Sequence, residues 1–166
     1  MNKIICIFVG LLLAWSSIAQ NNLGKPDDLG RIALAVYVPA QIEGLPEISK
    51  DFLESKLSQM VSESGFGSSD VANRFIITPK ISVTNKIITT DAPSYTLIDF
   101  DLTLNIGDGE TGTKYDSYTI SLKGMGLNET KAYQAAFKLI NSRDAKFKQF
   151  IENGKTRIVR YYNDRC

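Results

Sequence analysis

Apolar and polar positions follow three patterns along this chain. The first is an unbroken apolar run from Ile4 to Trp15, preceded by Lys3 and followed by Ser16, Ser17, Ile18 and Ala19. A positive start, a core of roughly a dozen apolar residues and small residues at Ser17 and Ala19 are the order of a secretory signal peptide. Residues 1–19 are therefore predicted to be removed between Ala19 and Gln20, since the run falls short of the roughly 20 apolar residues that span a bilayer.

The second pattern is alternation. Ile32, Leu34, Val36 and Val38 alternate with Ala33, Ala35 and Tyr37, so both faces are apolar and a central, covered strand is predicted over 31–38. Phe75, Ile77, Ile81 and Val83 alternate with polar residues, and Pro79, which cannot donate to a ladder, points to an edge or a bulge. The clearest strand places Thr96, Ile98, Phe100, Leu102, Leu104 and Ile106 on one face, opposite Asp99 and Asp101. Turn residues from Gly107 to Gly112 then predict a hairpin into a strand carrying Tyr118, Ile120 and Leu122.

The third pattern is helical. Ile48, Phe52, Leu53, Leu57, Met60 and Val61 form one stripe, with Pro46 suited to the first turn and Gly65 to the stop. Beyond Gly124 and Gly126, Asn128 caps a second helix with Tyr133, Ala136, Phe137 and Ile140 on one face. Ser142 is read as the cap of a third, amphipathic helix over about 143–164, weakened near Asn153-Gly154. The order β-α-β-β-β-α-α predicts an α/β (α+β) fold, a mixed and mostly antiparallel sheet with helices on one face. Residues 20–30 read as a polar leader and 31–166 as a single domain.

Chemistry is sparse. The chain of 166 residues has no histidine, which removes Ser-His-Asp and Cys-His systems and histidine metal sites. Cys6 lies inside the apolar run, where it cannot become a lipidated first residue. Cys166 is then the sole thiol, too few for a bridge or a metal cluster. The formal charge of +1 falls to zero once Lys3 is lost, so no bulk attraction to nucleic acid is expected. No cofactor is implied. The two carboxylates of Asp99 and Asp101 project from one strand face, as a glycosidase pair or metal site requires, against the simpler reading of a solvated outer face. Asp108 and Glu110 lack the ligand order of a calcium loop, and Gly124-Met125-Gly126 lacks the rest of a phosphate-binding fingerprint.

Along the last helix, Arg143, Lys146, Lys148, Lys155, Arg157, Arg160 and Arg165 outnumber Asp144, Glu152 and Asp164. Lys155, Arg157 and Arg160 mark it as a candidate partner-binding helix, weighed against an ordinary solvated face. A carbohydrate-binding role through exposed aromatics such as Tyr95 and Tyr115 is a further alternative.

Leu102-Thr103-Leu104-Asn105-Ile106, Glu110-Thr111-Gly112, the run Ser121 to Gly126, and Ala132 with Ala136 together resemble a periplasmic α/β domain class. That class includes curli-secretion channel lipoproteins, penicillin-binding-protein activators and flagellar assembly proteins. Arg31 to Val36, Asn73 to Ile77 and Gly154 to Asn163 extend the similarity to uncharacterised secreted Bacteroidetes-type proteins, whose chains often run on past the position of Cys166. The resemblance implies a non-catalytic module, exported to the periplasm or outside the cell, that docks on an envelope protein or self-assembles; it carries over no site residue. The alternative is a hydrolase or carbohydrate-binding domain using the sheet face around Asp99 and Asp101.

Overall fold

In the computed structural model, residues 32–67, 73–90 and 92–164 are described. The signal-peptide residues, including Ala19 and Gln20, the leader, and Cys166 lie outside them. Seven elements follow in the expected order: β1 (Ala35–Val36), α1 (Glu47–Glu63), β2 (Phe75–Ile88), β3 (Thr96–Asp108), β4 (Lys114–Gly126), α2 (Glu129–Lys138) and α3 (Ala145–Asn163). The four strands form one sheet in the order β1-β2-β3-β4, with β1 parallel to β2 and the other pairs antiparallel. This is the mixed, mostly antiparallel α/β arrangement that the patterns predict.

β3 is the axis of the sheet. Its even positions from Thr96 to Asp108 are buried, and its odd positions are half-buried on the opposite face. Phe100 packs against Tyr133 and Phe137 of α2, with ring centroids 5.2 and 5.6 Å apart. Such pairs add roughly 0.5–1.5 kcal/mol each beyond the area they bury. α1 packs on α2 and β1, and its buried Ser49 hydroxyl donates to the Thr130 carbonyl at 3.4 Å.

The helices sit close because glycines leave room for them. Gly124 and Gly126 are the last residues of β4, paired with Ile98 and Thr96. A Cβ on Gly124 would lie 1.9 Å from the Ala132 carbonyl oxygen, and one on Gly126 2.5 Å from the Ala132 nitrogen. The Gly-x-Gly stretch is thus where α2 presses on the strand. Likewise α3 runs unbroken through Asn153-Gly154, where Gly154 is buried and a Cβ would meet Ile106 Cδ1 at 2.4 Å. The glycine expected to weaken α3 lets it touch β3.

Four other expectations are corrected. The described part of this segment, 32–38, is not a central strand: only Ala35–Val36 join the sheet, at its edge, and Leu34 makes an isolated parallel bridge to Gly67. Its two apolar faces arise because the backbone is held from two sides, Leu34 N–H on the Phe66 carbonyl at 2.9 Å and Tyr37 N–H on Ile77 at 2.9 Å. In α1, Ile48 is exposed and Ser49 takes the inward place; Pro46 stands at the N-cap. Gly65, at φ +78°, ends the turn after α1 as expected. Finally, Asp144 rather than Ser142 caps α3, accepting from the Lys146 amide at 2.9 Å, while Asn128 caps α2 by accepting from Lys131 N–H at 2.9 Å.

Because β1 covers only Ile76 and Ile77, the rest of β2 is an edge, and Pro79 sits just beyond β1. The irregularity of this strand falls between Val83 and Asn85. At its far end Ile87, Ile88 and Val83 are exposed, and Lys86 forms an ion pair with Glu129 at 2.8 Å.

Candidate functional site

The densest polar cluster lies where β2 starts, β3 ends and α3 finishes. Asp108 continues the inward-facing parity of β3, so its carboxylate enters the protein and its side chain is fully buried. A buried carboxylate needs donors on all sides. Oδ1 accepts from the Glu110 and Thr111 amides at 2.9 and 3.1 Å, closing the hairpin turn. Oδ2 accepts from Arg74 Nε at 2.8 Å and from the Tyr162 hydroxyl at 3.0 Å. Burial pushes the Asp108 carboxyl up, but these four donors outweigh it and hold the group down at about 2.

An extra residue in β4 completes the cluster. Between the Ile106↔Asp116 and Gly107↔Lys114 pairs, Tyr115 has no partner on β3, and this bulge turns its ring inward. Tyr115 meets Phe75 and Tyr161 edge-on at 6.2 and 5.5 Å, and Phe75 meets Tyr162 at 5.9 Å. Burial first, then the neighbouring Tyr162, Asp108 and Tyr161, raise the Tyr115 phenol above its ordinary range. Arg74 lies over the Tyr162 ring at 5.2 Å and is also 3.5 Å from Glu110. Beside this cluster an open cleft of about 350 Å³ is lined by Ile32, Arg74, Phe75, Ile158, Val159, Tyr162 and Asn163.

The residues singled out in the sequence are dispersed. Asp99 faces Lys123 across the ladder at 3.5 Å, and Asp101 accepts from the Ser121 hydroxyl at 2.7 Å. They share a half-buried face, as their spacing requires, but each is engaged by a cross-strand neighbour. Asp108 and Glu110 do not open toward solvent together: Asp108 is sealed while Glu110 is exposed. Of the two aromatics proposed for carbohydrate, Tyr95 is partly exposed and Tyr115 is buried by the bulge, which separates them.

Lys155, Arg157 and Arg160 do not form one surface. Arg160 is exposed, and Arg157 donates to the Tyr115 carbonyl and to Asp116, each at 3.0 Å. Lys155 turns inward, 1% exposed, with its ammonium nitrogen 3.4 Å from the centre of the Phe66 ring. Burial lowers its pKa, partly countered by Glu152. A smaller cleft of about 220 Å³ lies alongside, lined by Glu63, Ser64, Phe66, Lys148, Ile151 and Glu152. Among the described residues no group of three His, Cys, Asp or Glu is placed to hold a metal ion, and no helix is long and apolar enough to cross a membrane.

No protein-family model matches the sequence, and no curated protein matches it. Several solved structures show a distant similarity to the chain. A minor lipoprotein from Acinetobacter baumannii is 15% identical, with a TM-score of 0.39 over 78% of this chain and 88% of that one. The PelC dodecamer from Paraburkholderia phytofirmans is 15% identical, with a TM-score of 0.43 over 68% of this chain and 87% of that one. A DUF330 protein from Xanthomonas campestris is 16% identical, with a TM-score of 0.38 over 81% and 88%.

Proposed function

We propose that this chain is an exported, non-catalytic interaction module of the cell envelope, released by cleavage between Ala19 and Gln20. It docks on an envelope protein or on further copies of itself, in the periplasm or outside the cell. The observation that supports this best is the state of Asp108. It is bonded to Arg74 in the wall of the larger cleft, yet it is sealed, saturated by four donors and held at about 2, so it is poorly suited to general acid or base work near neutral pH. Asp99 and Asp101 are engaged on the sheet, and histidine is absent from the chain.

Cell fractionation with N-terminal mass spectrometry tests the export half. A product beginning at Gln20 in the periplasm or medium supports it, and an intact Met1 product retained in the cytoplasm overturns it. Cross-linking in intact cells, with size-exclusion chromatography of the purified mature chain, tests the binding half. Discrete heteromeric or homomeric species are expected. Turnover of ester, glycoside or phosphoester substrates that disappears in Asp99→Asn with Asp101→Asn would reverse the reading.

A further inference from the structure

We propose that the cleft between α3 and the start of β2 is the docking site for one large apolar side chain of a peptide segment, whose backbone carbonyl is held by Arg74. This deepens the interaction reading above and rests on it.

Three observations carry the proposal. Ile32, Phe75, Ile158, Val159 and the Tyr162 ring give the cleft apolar walls, and its volume of about 350 Å³ falls at the small end of ligand sites, which run roughly 300–1,000 Å³. Arg74 supplies the directional polar group. Its Nε is committed to Asp108, and its Cζ lies 5.2 Å from the centre of the Tyr162 ring, so the guanidinium is held in place before any ligand arrives. The side chain is 39% exposed and lines the cleft, and among the described residues only its Nε is hydrogen-bonded, so its terminal nitrogens are the donors for an incoming acceptor.

Charge decides which acceptor. Among the described residues, Asp108 beneath and Glu110 at 3.5 Å more than offset the guanidinium, a balance that disfavours a further carboxylate. A neutral amide carbonyl meets the donors without that repulsion. The fitting partner is therefore an internal peptide segment bearing a bulky apolar residue, rather than a free acid.

The test is an amide-resolved NMR titration of the full mature chain with three probes: N-acetyl-phenylalaninamide, N-acetyl-phenylalanine and N-acetyl-glycinamide. The phenylalaninamide is expected to shift the Arg74, Phe75 and Val159 amides in a saturable way, with the free acid at least about threefold weaker and the glycine probe inert. Arg74→Gln should weaken binding about tenfold. Because that change also disturbs Asp108, Val159→Phe serves as the second variant, filling the cleft without touching the polar cluster. It should abolish the shifts while the fold, read by circular dichroism, stays intact. Glu110→Gln should narrow the gap between amide and acid. No shift at cleft residues, equal response to the glycine probe, or tighter binding of the acid would each overturn the proposal. If the titration fails while cross-linked partners persist, the cleft assignment falls and the interaction module stands.

Discussion

The Tyr162 hydroxyl donates to Asp108 Oδ2 at 3.0 Å across 54 positions of sequence, tying the last turns of α3 to the end of β3. A helix end held by one charge-assisted bond depends on the charge. Tyr162→Phe is expected to cost about 1–2 kcal/mol in urea unfolding and to leave the secondary structure unchanged. Asp108→Asn removes the charge that binds Arg74 and should cost more, about 2–3 kcal/mol.

The same carboxylate sets an acid limit. Its folded pKa, about 2, lies below its ordinary value of 3.8, so its contribution is complete above about 4 and disappears as pH falls through 2. By linkage this is on the order of 2 kcal/mol. Urea midpoints between pH 5 and pH 2 should fall more steeply in wild type than in Asp108→Asn, and parallel curves would refute the assignment.

Lys155 gives a dependence of the same sign in the alkaline range. Its folded pKa is lowered from 10.5, so its burden on stability is complete below the folded value and is relieved as pH rises toward 10.5. Lys155→Met is expected to stabilise the protein at pH 7 by on the order of 1 kcal/mol, and the advantage should shrink in alkaline solution. Thermal unfolding of both proteins at pH 6 to 10 provides the check.

Packing predicts a contrast between two glycines. Gly124→Ala drives a methyl into the Ala132 carbonyl and should cost about 3 kcal/mol or more, separating α2 from β4. Gly44 has φ +74° but open space around it, so Gly44→Ala should cost only about 1 kcal/mol of backbone strain. Similar losses in the two variants would mean that α2 does not approach β4 this closely.

On the sheet face, Asp99→Asn with Asp101→Asn removes the ion pair to Lys123 and leaves a weaker, neutral acceptor for the Ser121 hydroxyl. The double variant is expected to lose at most about 1 kcal/mol and to keep every cross-linked species of the wild type. Loss of those species would make this face, rather than the α3 cleft, the one that binds.

Much of the fold was legible in the sequence because β3 keeps strict period two while the helical stripes keep theirs. The segment before Pro39 was not, since two apolar faces look alike whether a strand is central or an edge segment is held between β2 and the Phe66 turn. The polar cluster was harder, because Arg74, Asp108, Tyr115 and Tyr162 meet only through the fold and Tyr115 turns inward through a bulge. Two signals were nevertheless present. Asp108 keeps the parity of Thr96 to Ile106, which places a charge on the core face, and Lys155 stands four residues after Ile151 and three before Ile158, on the buried stripe. Counting charges assigned Lys155 to the solvent face; following the helical period would have placed it inside.

The brevity of β1 leaves most of β2 with a hydrogen-bonding rim that no other strand among the described residues occupies. Crowding many molecules together therefore favours sheet extension from one to the next, with the exposed Lys80 as the cationic guard along that border. Neutralising that ammonium group would make stacking into ribbons easier.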